Sequence, residues 1–255
     1  AHWGVHTPLQ ASKADYDALA GIPDHRRRVY GAMIRSVDRS VERVLQALRD
    51  NGLDENTLVV FTSDNGAPNY IGLPEVNRPF RGWKLTLFEG GVRVPYAMKW
   101  PARIPAGTRF GAPVSSIDLL PTIAAAAGAK APNDRPIDGV DLLPHLAAGG
   151  AALAPRPLFW RDGAYRSVID DGWKLIVSAR PARRWLFDLG ADPTERNDLS
   201  AREPARVARL QSLLDAHHAK MPPPLWPSVI ELPVAIDKTL DQPLTPADEV
   251  TYWLN

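Results

Sequence analysis

The segment 24–62 constrains the fold of this chain more than any other part of the sequence. Across residues 24–51, apolar side chains recur at every third or fourth position with charged residues between them, which predicts an amphipathic helix. Asp24 suits its N-cap, and Gly52 suits the stop that follows. Residues 58–62 form a short, apolar, β-branched run that is typical of a strand buried on both faces. A helix, a short turn and a buried strand together predict one unit of an α/β sheet.

The remainder of residues 1–157 continues this pattern with longer connections. Residues 67–93 are rich in Gly, Pro, Asn and Arg, and a long ordered loop of this kind is commonly functional. A second strand is predicted at 94–100 and a further helix at 116–127, followed by a connection rich in Pro and Gly. We therefore predict that residues 1–157 are part of one α/β domain.

The pattern changes after residue 157, where short strand candidates alternate with turn signals. The candidates are 158–160, 165–170, 173–178 and 185–189. Asp171-Gly172 predicts a tight hairpin, and residues 204–218 predict a helix. Residues 158–221 are thus expected to form a small antiparallel sheet with one helix. The Pro-rich tail, 222–255, is expected to pack on the body through its aromatic residues Trp226, Tyr252 and Trp253.

Charge and composition exclude several classes of function. The net charge is +1, so no basic or acidic excess indicates a nucleic acid or a membrane surface as partner. No apolar run approaches the roughly 20 residues that a membrane-spanning helix needs. The sequence has no cysteine, which excludes disulfides and thiolate metal sites and leaves the redox compartment open.

Asp64 and Asn65 are the first candidates for chemistry, because they stand where the predicted strand runs into Gly66. Ligands of open α/β sheets bind at the carboxyl ends of strands. A carboxylate beside an amide offers oxygen ligands only, which suits Ca²⁺, or less well Mg²⁺, rather than zinc. Taken alone, Asp64-Asn65-Gly66 is more typical of a simple turn than of a metal site. Since Ca²⁺ takes about six to eight oxygens, further ligands must come from elsewhere.

Lys84 and His6 are the other candidates. Lys84 stands in a glycine-rich loop where an ammonium could bind the oxygens of an anionic ester, although a lone lysine is usually a solvated surface charge. A histidine such as His6 can protonate a leaving group near neutral pH, but a lone histidine is more often structural. Around Lys84, a structural ion-pair set of Arg81, Glu89 and Arg93 is expected.

The joint order and spacing of these motifs is more specific than any one of them. The segments are HTPLQ (6–10), YGAMI (30–34), NTLVVFTSDNG (56–66), FRGWK (80–84), FEGGVRVP (88–95), DLLPT (118–122), DGVD (138–141), WKLI (173–176) and LFDLGADPTERNDL (186–199). In this order they resemble the sulfatase family of the alkaline phosphatase superfamily, and most closely its arylsulfatase-B-like members. Nearly the whole chain is covered by the resemblance.

The resemblance implies a fold and a role for each candidate. The fold would be part of an alkaline-phosphatase-like mixed sheet sandwiched by helices. Asp64 and Asn65 match two metal ligands, normally for Ca²⁺; Lys84 matches a lysine that contacts the sulfate, and His6 a histidine lining the sulfate pocket. The family's nucleophile is a formylglycine made from Cys or Ser. Its motif, an acidic metal pair and a Lys-X-His segment all precede the part that this chain matches, and none of them occurs here.

The expected function is therefore desulfation of a sulfate ester, a small molecule or a sulfated carbohydrate, by a complete protein that contains this chain. Because the sequence opens on Ala1, a fragment, a processed chain or a renumbered chain is indicated, and the chain alone is expected to be inactive. Two alternatives stay open: a phosphate or phosphonate monoester hydrolase of the same superfamily, and a non-catalytic binding protein on a degenerate sulfatase scaffold. Localisation cannot be read from the sequence, although the resemblance suggests secretion or the periplasm.

Overall fold

The computed structural model describes residues 1–223, 225–226, 229 and 231–254. Its helices are α1 (Lys13–Asp17), α2 (His25–Asp50), α3 (Glu89–Val92), α4 (Leu119–Ala126), α5 (Leu143–Ala147) and α6 (Pro204–His218). Its strands are β1 (Val59–Thr62), β2 (Tyr96–Lys99), β3 (Leu158–Asp162), β4 (Tyr165–Asp170), β5 (Trp173–Ala179), β6 (Ala182–Asp188), β7 (Glu231–Ala235) and β8 (Val250–Leu254). None of the helices within these ranges is both long and apolar enough to span a bilayer.

The chain divides into two compact units. The first holds residues 1–61 and 97–152, and the second holds residues 62–96 and 153–255. The loop after β1 therefore packs with the C-terminal part of the chain. The domain boundary predicted at residue 157 stays a prediction.

In the first unit, the predicted long helix is confirmed as α2. The Asp24 carboxylate caps its first turn by accepting the Arg27 N–H at 2.7 Å, and Gly52 follows its end with a φ of +67°. A bidentate ion pair between Arg39 and the buried Asp15, at 2.6 and 2.8 Å, joins α2 to α1. This pair holds the pKa of the Asp15 carboxyl well below its usual range.

The predicted strand at 58–62 exists as β1, but the expectation that it is buried on both faces is wrong. Phe61 is 44% exposed and Thr62 is also exposed. β1 pairs with β2 in a sheet of two strands among the described residues, so no further strand of this sheet covers those side chains. β2 is shorter than the predicted 94–100 because prolines 95 and 101 flank it and lack the N–H that a ladder requires.

The helix predicted at 116–127 is confirmed as a short 3₁₀ turn, Ser116–Asp118, that leads into α4. Asp118 stabilises this start, because its carboxylate accepts N–H groups from Ser115 and Val140, both at 2.9 Å. Gly128 ends the segment with a φ of +68°.

The second unit contains the predicted small antiparallel sheet, with the strand order β3-β4-β5-β6. The expected hairpin between β4 and β5 is confirmed: Asp171 and Gly172 have φ values of +50° and +75°, as a type I′ turn requires. α6 covers one face of the sheet, where Leu210 and Leu214 pack against Val168, a fully buried residue of β4. The prediction of one sheet with one helix is therefore confirmed.

The other face of this sheet forms a second core. Phe88 packs there with Trp185, their ring centroids 5.5 Å apart, and Ile236 is fully buried in the same cluster. Of the tail aromatics, Tyr252 contacts this core, whereas Trp226 is 76% exposed and does not pack as predicted. The core thus joins the loop at 80–92 to the sheet and to the antiparallel hairpin of β7 and β8.

Candidate functional site

The turn that carries Asp64 and Asn65 begins where β1 ends. The Asp64 carboxylate accepts the Asn65 N–H at 3.0 Å and the Ser63 hydroxyl at 3.4 Å, and the Asn65 amide nitrogen donates to Gly66 O at 2.9 Å. Asp64 is exposed and Asn65 is half-buried. Among the described residues, the hydrogen bonds of Asp64 stay within its own turn. The turn therefore holds both side chains in place and leaves the carboxylate accessible.

Close backbone contacts lock this turn onto the loop that follows Lys84. Gly66 N–H donates to Gly91 O at 2.9 Å, and a Cβ at Gly66 would lie 1.8 Å from Gly90 O. A Cβ at Gly90 would lie 2.4 Å from Gly82 O. No side chain fits at such separations, so glycine is required where these backbone segments contact each other.

The backbone of Lys84 is held on the same framework. The Lys84 backbone N–H donates to Ala67 O at 3.1 Å. The Asn77 side-chain amide donates to Ala67 O at 2.8 Å and accepts the Ala67 N–H at 2.9 Å. The next residue, Leu85, has a φ of +82°, a left-handed conformation that is costly for a leucine. Such strain at a residue adjoining a candidate side chain is typical of a functional loop.

Beneath this loop lies a buried charge cluster that we call the Glu89 triad: Glu89, Lys174 and Glu195. The Lys174 ammonium is fully buried, 2.8 Å from a Glu89 carboxylate oxygen and 2.9 Å from a Glu195 oxygen. The first contact is a directed hydrogen bond, whereas the second lacks that geometry and is a charge contact. The other Glu195 oxygen accepts the Glu89 N–H at 2.6 Å. Burial raises the pKa of the Glu195 carboxyl, an effect that the Lys174 ammonium opposes.

Sequence reasoning assigned no role to Lys174 or Glu195. The available signal was the single charge in the otherwise apolar strand β5, at a position that shares a sheet face with Ile176 of the second core. A lysine on a core-facing position of a strand requires a buried counter-charge.

The predicted ion-pair set of Arg81, Glu89 and Arg93 is correct only in part. Arg93 lies 3.5 Å from Glu89, but the buried Arg81 pairs with Asp237 at 2.7 Å and with Glu249. Both partners are far along the chain, in and beside the β7–β8 hairpin, and local spacing could not identify them. The tail is thereby attached to the loop that carries Lys84.

His6 belongs to the first unit, whereas the other predicted site residues belong to the second. It is exposed, with its Nδ1 2.8 Å from Thr7 O and its ring 5.4 Å from that of Trp3. The structure thus brings Asp64, Asn65 and Lys84 onto one backbone framework and places His6 on a different unit.

As a metal site, the framework offers two oxygen ligands. Across the described residues, no group of three or more His, Asp or Glu side chains is placed to hold an ion. An exposed carboxylate beside an amide is a donor set that fits a hard cation such as Ca²⁺, provided that other ligands complete the shell. A surface cavity of about 790 Å³ beside α6 has neither Asp64, Asn65 nor Lys84 in its lining.

Two family models match this sequence. One, described as Sulfatase, matches residues 2–129, and the other, described as N-sulphoglucosamine sulphohydrolase, C-terminal, matches residues 81–220. Both include the loop from Arg81 to Gly91.

The sequence and the fold are also similar to those of known sulfatases and of a solved structure. N-acetylgalactosamine-6-sulfatase of Canis lupus familiaris is 41% identical over 142 residues, which cover 52% of this chain and 26% of that protein. Human steryl-sulfatase is 33% identical over 255 residues, covering 98% of this chain and 40% of that protein. The crystal structure of Ps i-CgsB in complex with k-i-k-neocarrahexaose superposes with a TM-score of 0.78 at 32% identity, covering 88% of this chain and 50% of that one.

These matches confirm the predicted fold class, an α/β fold of the alkaline-phosphatase-like kind. The chain spans well under two thirds of the length of each of these relatives.

Proposed function

The chain belongs to the sulfatase family, and we propose that it supplies one part of the active site of a sulfuric ester hydrolase. The observation that carries this proposal is the backbone framework that joins the Asp64 turn to the Lys84 loop through Gly66 and Ala67. It places the backbone of Asp64, Asn65 and Lys84 on adjoining segments, an arrangement that suits binding of a sulfate ester beside a cation. The sulfatase relatives support the same reaction class.

Asp64 and Asn65 would hold Ca²⁺ in this site. Their oxygens are hard ligands, and the exposed Asp64 carboxylate has its described hydrogen bonds only within its own turn. A bound cation would offset negative charge on the sulfuryl oxygens. The remaining ligands would come from outside this chain, since two oxygens do not complete a shell.

Lys84 would bind a sulfuryl oxygen and stabilise the charge that develops as the ester bond breaks. His6 would line the sulfate pocket and transfer a proton to the departing alcohol. The nucleophile that we propose is a formylglycine contributed by sequence other than these residues, so this chain alone is expected to be inactive. The relatives include a sugar sulfatase and a steryl-sulfatase, and the proposed substrate is a sulfate ester that is either a small molecule or a sulfated carbohydrate.

Replacing Lys84 with alanine tests this assignment in the complete protein that contains this chain. We expect kcat/KM for an aryl sulfate to fall by about 100-fold, because a preorganised charge on a developing oxyanion has that order of effect. Lys84→Arg should recover part of the loss, since it keeps the charge.

The matched control is Lys130→Ala, which removes an exposed lysine from the first unit and should leave turnover unchanged. Equal activity of the Lys84 and Lys130 variants would contradict a role for Lys84 in substrate binding.

A further inference from the structure

We propose that Lys174 is a positioning residue for the loop that carries Lys84, acting through Glu89 and Glu195. The inference rests on the proposed function, since it explains how that loop is held. Lys174 lies in the interior of β5, with its side chain fully buried, and it does not itself belong to the proposed site.

The first step is the contact between β5 and the loop. The Lys174 ammonium donates to a Glu89 carboxylate oxygen at 2.8 Å. Glu89 is the first residue of α3 and is 4% exposed, so its side chain points into the core rather than into solvent. The strand therefore holds the side chain at the start of α3.

The second step fixes the main chain at the same residue. Glu195 accepts the Glu89 N–H at 2.6 Å with one carboxylate oxygen, and its other oxygen lies 2.9 Å from the Lys174 ammonium. Glu195 has a φ of +56°, an unfavourable conformation for a glutamate that places its side chain in the core. Side chain and backbone of Glu89 are thus held at once.

The third step leads from Glu89 to the site. Gly90 N–H donates to Arg81 O at 2.6 Å, and Gly91 O accepts the Gly66 N–H at 2.9 Å. A shift of Glu89 therefore moves both the segment before Lys84 and the turn of Asp64. Both contacts are hydrogen bonds between backbone atoms, so a displacement of one backbone segment displaces the other directly.

The composition of the cluster favours positioning over stability. Two buried carboxylates share one buried ammonium, with the exposed Arg93 guanidinium 3.5 Å from Glu89 in addition, and well-packed apolar side chains of similar volume would commonly be as stable or more so. Hydrogen bonds between charged groups depend on orientation, because each of them requires a defined geometry. The Glu89 triad therefore fixes the position of the loop more precisely than a hydrophobic contact would.

Kinetics of the complete protein test this inference through a double-mutant cycle. We expect Lys174→Met to lower kcat for an aryl sulfate by about 10- to 100-fold with a smaller change in KM, because a displacement of about 1 Å has effects of that size. In a Lys84→Ala background, the same substitution should lower kcat by a smaller factor, because the part of its effect that acts through Lys84 is already lost and only the displacement of the Asp64 turn remains. Equal effects in both backgrounds would overturn the inference.

Amide hydrogen exchange gives a readout that does not depend on activity. Lys174→Met should speed exchange at the N–H groups of Gly66, Lys84 and Gly90, which bond within the framework, and leave β3 and β4 protected. Leu175→Ala is the matched control, because Leu175 is a buried neighbour on the opposite face of β5, against α6. It should loosen the sheet and leave the loop protected.

If Lys174→Met does not fold, the neutral variant Glu89→Gln/Lys174→Met/Glu195→Gln takes its place, since it leaves no unpaired buried charge. Unchanged loop exchange in the variant that folds would overturn the inference. Full activity of Lys84→Ala would instead contradict the proposed function, while the exchange result would still decide whether Lys174 positions the loop.

Discussion

Replacing Asp64 with alanine in the complete protein is expected to lower kcat/KM for an aryl sulfate by roughly 1,000-fold, which corresponds to about 4 kcal/mol of transition-state stabilisation. The reason is the loss of the only carboxylate in the proposed donor pair, since Asn65 offers a neutral amide oxygen. Calcium affinity, measured by titration calorimetry, should fall by at least about 100-fold, because ligand loss exceeds the effect of altering groups behind the ligands. Thermal stability measured without calcium should change little, since Asp64 is exposed and its hydrogen bonds are local.

The matched control for this prediction is Asp50→Ala, which removes another exposed carboxylate, at the C-terminal end of α2 in the first unit. It should leave both calcium affinity and turnover unchanged. An Asp64 variant that binds calcium as tightly as the parent protein would contradict the assignment of Asp64 as a ligand.

Replacing Gly66 with alanine should lower activity through a steric clash rather than through the loss of a ligand. The added Cβ would lie 1.8 Å from Gly90 O, so the Asp64 turn and the segment at Gly90 must separate and the hydrogen bond to Gly91 O is lost. Overpacking of this kind destabilises by about 1–3 kcal/mol or more. Because Asp64 and Lys84 would both move, we expect turnover to fall by more than about 100-fold. Denaturant unfolding and initial rates measure the two effects.

Gly111→Ala is the matched control, since a Cβ at Gly111 has nothing within 4 Å. It should change neither stability nor turnover. A Gly66 variant with the parent's activity would show that the Asp64 turn and the Lys84 loop need not be held together.

Local features of this fold could be predicted from the sequence. Helix α2 follows from periodicity and from Asp24 as its cap, both of which act within a few residues. The hairpin at Asp171-Gly172 follows from the left-handed conformations that these two residue types tolerate. Asp64, Asn65 and Lys84 stay predicted site residues, proposed because their motifs occur in a specific order.

Features that depend on distant parts of the chain could not be predicted in this way. The burial of β1 depends on which strands lie beside it, and the exposure of Phe61 shows that a run of apolar residues does not determine it. The partners of Arg81 lie 156 and 168 residues further along the chain. The Glu89 triad draws on residues 85 and 106 positions away from Glu89, so the alternation within β5 indicates that Lys174 is buried but does not identify its partners.

The most direct test of the central claim, that the Asp64 turn and the Lys84 loop are part of a sulfuric ester hydrolase site, is calcium-dependent hydrolysis by the complete protein. Initial rates on an aryl sulfate and on the corresponding aryl phosphate are measured with calcium, after its removal by a chelator, and after it is restored. We expect the sulfate to be hydrolysed faster than the phosphate, with activity lost on chelation and recovered with calcium. Faster hydrolysis of the phosphate, or calcium binding with no turnover of either ester, would contradict it.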